Sequence, residues 1–335
     1  MNTEKDFDVS AAEAAGAEDA TGIIQRLIDE NPNRVIFFPD GEYVISSPVL
    51  TPADPSKSVS LFLSDFAVIK ASPGWNSGEA MIRLGGKDPF NTIYKNGSNY
   101  SLSGGIVDGS GVASAISIDS GRETSVRNLS VKHAKIGIHI KYGANSGSSD
   151  SDISGVNITG TGGTDSVGVL TEGHDNTLTN MRIANVFRGV ELRSSGNTLR
   201  NIHPLYTLDY TDYENSCGFY DVRGNNWYSF AYSDQFANGF RFAKEARGSI
   251  MSDCFAFWYS PRGDFETVIR CDGNFRSAVR NLKLGFRNGP GKRAVLTAAE
   301  PGGPGFIDTV CLNHGSEADL GDQTFRDCLR GGIVC

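Results

Sequence analysis

The chain is poor in several things, and each shortage excludes a class. It has 335 residues but only six cysteines and five histidines. Cys217, Cys254, Cys271, Cys311, Cys328 and Cys335 show no CxxC spacing, so a zinc ribbon is not expected. His133, His139, His174, His203 and His314 show no metal-ligand spacing, so no bound metal and no cofactor are expected. No apolar run approaches 18 residues, which excludes a transmembrane helix and a membrane partner. Basic residues are in deficit, 31 against 39 acidic, for a net charge of −8. Without a basic stripe, nucleic acid is not an expected partner. Proline numbers only 12, which excludes a collagen-like or proline-rich chain. Met1 opens a stretch without the charged and apolar regions of a secretory signal. The expected location is therefore inside the cell, or extracellular if a signal has been removed. Cys311, Cys328 and Cys335 crowd the C-terminus, where a disulfide fits only the extracellular case.

What is abundant is glycine, 40 residues, and self-similarity. The run Ser125-Val126-Arg127-Asn128-Leu129-Ser130-Val131 has relatives at Leu178–Ile183, Leu199–Ile202 and Val279–Leu284. Weaker copies place a small or polar anchor at 104, 128, 155, 180, 201, 229, 253 and 281, about 25 residues apart. Between anchors lies a second motif, often opened by glycine: Gly137-Ile138-His139-Ile140, Gly168-Val169-Leu170-Thr171, Gly189-Val190-Glu191-Leu192, Gly239-Phe240-Arg241-Phe242. Both motifs alternate apolar and polar residues, as short strands with one buried face do.

Two or three strands per 25 residues leave no room for crossover helices, so a βαβ array is excluded. The period fits an all-β, right-handed parallel β-helix of roughly ten coils, in which stacking makes the core continuous. Recurrent Asn128, Asn180, Asn201 and Asn281, with Asp253 in the same slot, read as a structural ladder at left-handed corners. Asp19-Ala20-Thr21 followed by Ile23, Ile24, Leu27 and Ile28 predicts a helix near 19–30 that caps the open end. The expected divisions are 1–58 (cap and first coils), 59–310 (β-helix) and 311–335 (C-terminal cap).

The opening segment resembles the pectate-lyase superfamily of right-handed parallel β-helix proteins. The resemblance is carried by Asp8-Val9, Gly16, Asp19-Ala20-Thr21, Ile24-Gln25, Ile28 and the run Val35-Ile36-Phe37-Phe38-Pro39-Asp40-Gly41-Glu42-Tyr43-Val44-Ile45-Ser46. It implies a carbohydrate ligand. It leaves the reaction open, since members include polysaccharide lyases, glycoside hydrolases, fructotransferases, epimerases and phage tailspikes. Gly173-His174-Asp175 imitates only the histidine element of polygalacturonases. Glu191 resembles the glutamate of inulin fructotransferases, but Asn180 stands where their aspartate would be.

In a β-helix, equivalent residues of successive coils lie about 4.8 Å apart, so chemistry reads as columns. Centres of the second motif form one column: Ser117, His139, Leu170, Glu191, Asp221, Arg241, Arg270. Two residues on, Asp119, Lys141, Glu172, Arg193 and Arg223 alternate mostly in sign. Aligning Val190–Arg193 with Tyr220–Arg223 stacks Glu191 on Asp221 as a carboxylate pair suited to glycoside cleavage, with Asp234 in reserve. The alternative is a charge ladder without chemistry. Insertions carrying Tyr206, Asp209, Tyr210, Asp212 and Glu214, and Trp258 and Tyr259, are expected to wall a groove that binds sugar with Arg223, Arg241 and Arg270. Their alternative is a satellite cluster on the solenoid wall. The expected function is cleavage of glycosidic bonds in an oligo- or polysaccharide. The alternatives are a polysaccharide lyase, an inulin-type fructotransferase, and a non-catalytic glycan-binding or tailspike-type module. Flat flanks and outward Leu170, Phe255 and Phe257 suggest a homotrimer.

Overall fold

The computed structural model describes residues 9–90, 100–207, 212–260, 262–263, 265–287, 291–312 and 316–319. The fold is a right-handed parallel β-helix, and the chain divides into two compact units, 1–181 and 182–335. In each unit, strands of successive coils pair in parallel.

In the first unit one inward row runs Ile36, Leu61, Leu102, Val126, Ile153, Leu178, each the register partner of the next. A second runs Ile82, Ile116, Ile138, Val169 on the facing sheet. All ten are buried. At about 1.5–3 kcal/mol per fully buried aliphatic side chain, these rows are the main source of stability. In the second unit the rows become aromatic: Phe219 stacks on Phe240 with centroids 4.9 Å apart, and Tyr228 pairs with Met251.

Two corner columns adopt left-handed backbone. One is the expected ladder: Asn128, Asn180, Asn201, Asp253 and Asn281 all have φ between +52° and +56°. Its member in the Trp227 coil is Phe230 (φ +52°), one residue beyond the expected anchor Ser229. The other column is Glu123, Asp150 and Asp175 in the first unit and Gly196, Asn225 and Gly248 in the second. Each residue of that second column is followed by a buried polar residue. Among these, Asn197 donates from its amide to Asn226 Oδ1 at 2.9 Å, and Ser249 Oγ accepts from the Asn226 N–H. A second, buried amide ladder therefore sits here, at a slot the sequence pattern did not single out; in the expected column the Asn281 amide donates to Asp253 at 3.1 Å, at the surface.

The helix spans Thr21–Glu30 and buries Ile24 and Ile28. Gln25 donates to the Leu50 carbonyl at 3.0 Å and accepts from the Leu50 N–H at 2.8 Å, doing for that strand what a neighbouring strand would do. Cys217, Cys254 and Cys271 are buried free thiols, each pushed up to about 12 by burial. Cys311 is disulfide-bonded. Cys328 and Cys335 lie outside the described residues.

Candidate functional site

The stacked carboxylate pair does not form. Val190 pairs with Phe219, Glu191 with Tyr220 and Leu192 with Asp221, one residue away from the expected alignment. A one-residue slip in a strand moves every side chain to the other face. Glu191 therefore faces outward, while Asp221 falls in the inward row of Leu192, Phe242 and Cys271. There its carboxylate accepts from the Tyr228 hydroxyl (2.9 Å), Ser249 Oγ (2.7 Å), Asn226 Nδ2 (3.1 Å) and the N–H groups of Arg223 and Gly224. Five donors balance the charge without a cation. Asp221 is thus buried inside the coil with five protein donors and does not meet Glu191. Burial, with the Asp221 charge added, raises the Tyr228 phenol well above its ordinary value.

Glu191 is covered by two guanidiniums, Arg188 Nη1 at 2.8 Å and Arg193 Nε at 2.7 Å. In the same outward column Tyr220, Arg241 and Arg270 follow in register. Arg241 lies 5.0 Å over the Tyr220 ring and binds Asp272 through Nε, at 3.1 and 3.0 Å to the two carboxylate oxygens. Arg270 Nε is 3.6 Å from the same aspartate. This face holds four arginines against two carboxylates.

Among the described residues of the insertions, Tyr206, Tyr213 and Trp258 pack as the satellite cluster. Tyr206 and Trp258 are wholly buried. Tyr206 meets Tyr213 at 5.0 Å and Phe236 at 5.4 Å, and the Trp258 indole donates to the Phe236 carbonyl. Tyr213 Oη donates to the buried Glu266 at 2.6 Å, and Arg262 lies 4.8 Å over the Tyr213 ring. Neither Tyr206 nor Trp258 is placed to meet a sugar. Asp212 accepts from Asn215, Glu214 is exposed, Tyr259 is exposed beside Arg287, and Arg223 is exposed. Asp209 and Tyr210 lie outside the described residues.

Asp234 sits in a row of rings. His203 stacks on Tyr232 at 4.0 Å and Tyr232 on Phe255 at 4.6 Å. Asp234 Oδ2 accepts from Tyr232 Oη at 3.1 Å and lies 3.3 Å from His203 Nε2. Burial and the Asp234 charge raise the Tyr232 phenol, which stays a donor. The rings cover each other's faces, so the row presents edges outward.

The richest group of titratable side chains lies in the first unit, on the outward face of the strands Ala80–Lys87, Ser114–Ile118, Ile136–Ile140 and Val167–Thr171. Register sets Arg83, Ser117, His139 and Leu170 in one column. The column two residues on is the expected Asp119, Lys141, Glu172. Asp119 is buried, accepts from Arg83 Nε at 2.9 Å and from Ser117, and has Lys141 Nζ at 3.6 Å. Lys141 also donates to Glu79, and the Arg83 guanidinium is 3.6 Å from the same carboxylate. Lys141, Arg83 and His139 hold the Glu79 carboxyl below its ordinary value, the Lys141 hydrogen bond acting most strongly. His139 Nε2 lies 3.0 Å from Glu172 Oε2. Three carboxylates thus meet two permanent cations and one imidazole. Glu79 stays ionised. Glu79 and Arg83 were missed in the sequence. The signal for them was the alternation of Ala80-Met81-Ile82-Arg83-Leu84, an early copy of the second motif. Among the described residues, no group of three or more His, Cys, Asp or Glu side chains is arranged to hold a metal ion.

The family model described as Rhamnogalacturonase A/epimerase, pectate lyase-like matches residues 5–217. No curated protein matches the chain in sequence. Among solved structures, a mutant tailspike protein of E. coli bacteriophage HK620 superposes with a TM-score of 0.71 at 12% identity, over 99% of this chain and 65% of that one. This chain therefore spans just under two thirds of the tailspike's length. Endo-xylogalacturonan hydrolase from Aspergillus tubingensis superposes with a TM-score of 0.59 at 13% identity, over 96% and 97% of the two chains. PfbA, a surface adhesin of Streptococcus pneumoniae, does so with 0.54 at 12%, over 92% and 89%. At these identities the likeness is one of fold.

Proposed function

Because the chain belongs to the rhamnogalacturonase A/epimerase, pectate lyase-like family, we propose that it acts on a polysaccharide, hydrolysing glycosidic bonds at the charged outward face of its first unit. The observation that carries the reading is the asymmetry between two carboxylates on that face. Glu79 is held ionised by Lys141 and Arg83, whereas Glu172 shares its contact with a histidine. Two carboxylates on one face with different partners, one tied to permanent cations and one to an imidazole, are a geometry that acid–base cleavage can use. In this reading the His139–Glu172 couple gives a proton to the leaving glycosidic oxygen. Glu79 works as base or nucleophile at the anomeric carbon. One water is consumed overall, its hydroxyl going to the anomeric carbon and its proton restoring the couple. Asp119, buried and ion-paired, keeps Arg83 and Lys141 in place as a positioning residue. Arg241 and Arg270 remain proposed as substrate-binding groups. Glu191, expected as a catalytic carboxylate, is closed off by two guanidiniums and is not proposed for that role.

A second reading, a non-catalytic glycan-binding module, draws support from the pairing of all three carboxylates with a cation or a histidine. The test is incubation with a panel of oligo- and polysaccharides, read by mass. Hydrolysis adds the mass of water, elimination gives an unsaturated product absorbing in the ultraviolet, and a binder returns its ligand unchanged. Glu79→Gln and Glu172→Gln are each expected to lower the rate at least about a hundredfold with the fold retained. Near-normal turnover in both variants would remove this face as the catalytic centre.

A further inference from the structure

Two local rules are broken together on the outward face of the second unit's strands Trp227–Ser229 and Ile250–Ser252. The first concerns exposure. The outward row of the first unit starts with the exposed Val35 and is polar from there on: Ser60, Ser101, Ser125, Asp152, Thr177. The equivalent row of the second unit reads Thr198, Trp227, Ile250, Ala278, Phe306. Trp227 is 47% exposed and Ile250 42%. The second rule concerns the backbone. Phe230 holds the left-handed corner that Asn128, Asn180, Asn201, Asp253 and Asn281 hold in other coils, and it is 54% exposed. A bulky residue at positive φ is strained, and the Phe230 ring stays more than half exposed there. Such a conflict between local preference and fold marks a site kept for another purpose.

The chemistry around these residues indicates that purpose. Between Trp227 and Phe230 along the strand lies Ser229, with Ser252 as its register partner. Arg200 and Arg280 flank these serines in the same row, and the exposed Asp308 follows Arg280 on the next coil. Both arginines are exposed, and their side chains make no ion pair or hydrogen bond among the described residues. Asp253 lies next to this row and accepts from Asn281. The row from Arg200 to Arg280 covers three inter-strand steps, roughly 14 Å. Open aromatic surface, small hydroxyl side chains between, and exposed guanidiniums on either side suit a chain of rings with apolar faces, hydroxyl groups and carboxylates. We infer that this sheet face is a binding strip for an acidic polysaccharide, separate from the residues assigned to cleavage. The ligand class rests on the polysaccharide reading above.

The chain carries its own reporter. Of three tryptophans, Trp75 is 7% and Trp258 1% exposed, so collisional quenching of fluorescence by acrylamide reads Trp227. The protein is titrated with polygalacturonate as the acidic probe and dextran as the neutral one. Polygalacturonate is expected to lower the quenching constant at least twofold and dextran to leave it unchanged. The Phe230→Asn and Arg200→Ala/Arg280→Ala variants should each lose that protection. Trp227→Phe, left with two buried indoles, confirms which residue reports. Protection by neither polymer, equal protection by dextran, or full protection in Phe230→Asn overturns the strip. So does shielding that grows with protein concentration alone, which marks a contact between copies. Glu79→Gln should keep the protection. Protection without cleavage of any substrate upholds the strip and removes the hydrolase reading; cleavage of polygalacturonate without protection does the reverse.

Discussion

At the scale of single residues, the glycine opening the second motif explains how the register went astray. A Cβ on Gly189 would sit 2.4 Å from the Gly218 carbonyl, and one on Gly218 would sit 2.8 Å from that of Gly239. Successive coils approach too closely there for any side chain. The column of glycines thus aligns Glu191 with Tyr220 and Arg241. Aligning Arg193 with Arg223 instead followed charge, which solvent tolerates at almost any position, over backbone contact, which has no slack. The consequence is testable at Asp221. Asp221→Ala leaves Tyr228, Ser249 and Asn226 with unmet buried donors and should cost about 3 kcal/mol or more in denaturant unfolding. Asp221→Asn, which loses the charge but keeps its shape, should cost less. At Phe230 the sign reverses. A left-handed conformation costs a bulky L-residue about 1–2 kcal/mol, most of which asparagine avoids. Phe230→Asn should therefore raise the thermal midpoint, checked by calorimetry, and an unchanged or lowered midpoint would show that the ring is held by contacts within the chain.

At the scale of elements, the strands were legible because they are short and half-buried, so alternation reports them directly. The helix was legible from its apolar stripe, and it appears at Thr21–Glu30 with Ile24 and Ile28 inward. Its polar contact was not. Gln25 closes both backbone groups of Leu50, a pairing between residues 25 apart in sequence. Gln25→Leu keeps the helix and removes that closure. It should cost about 1–3 kcal/mol for the two groups left without partners and expose a strand edge prone to self-association. The measurements are a denaturant midpoint and light scattering at raised concentration. The insertions show the same limit. Tyr206, Tyr213, Trp258 and Phe265 carry no period, so only packing decides between a sugar platform and a cluster. Packing against Phe236, Arg262 and Glu266 decided for the cluster for Tyr206, Tyr213 and Trp258.

At the scale of the molecule, acid is the informative perturbant. Glu79 is depressed below its ordinary 4.5 mainly by Lys141, and Asp19 below its ordinary 3.8 by hydrogen bonds from Ser46 and Thr21. A carboxyl depressed on folding contributes stability that is fully present above its unfolded value and lost as pH falls through its folded one. The thermal midpoint should therefore begin to drop as pH passes below about 4.5, more steeply in the wild type than in Glu79→Gln. Both groups are partly exposed, so each contribution is small and should shrink further in high salt. Of the residues offered for a homotrimer, Leu170 is buried, while Phe255 and Phe257 are half-buried, Phe255 stacked on Tyr232 and tilted against Phe257. What the sequence determined by itself was the period, most of the inward rows and one of the two left-handed corner columns, because each repeats locally and nearly every coil states it again. What only the tertiary structure decided was which outward residues share a column and which carboxylates are occupied. Those outcomes depend on inter-coil register and on partners tens of residues away, as Glu79 meeting Lys141 and Asp221 meeting Ser249 show.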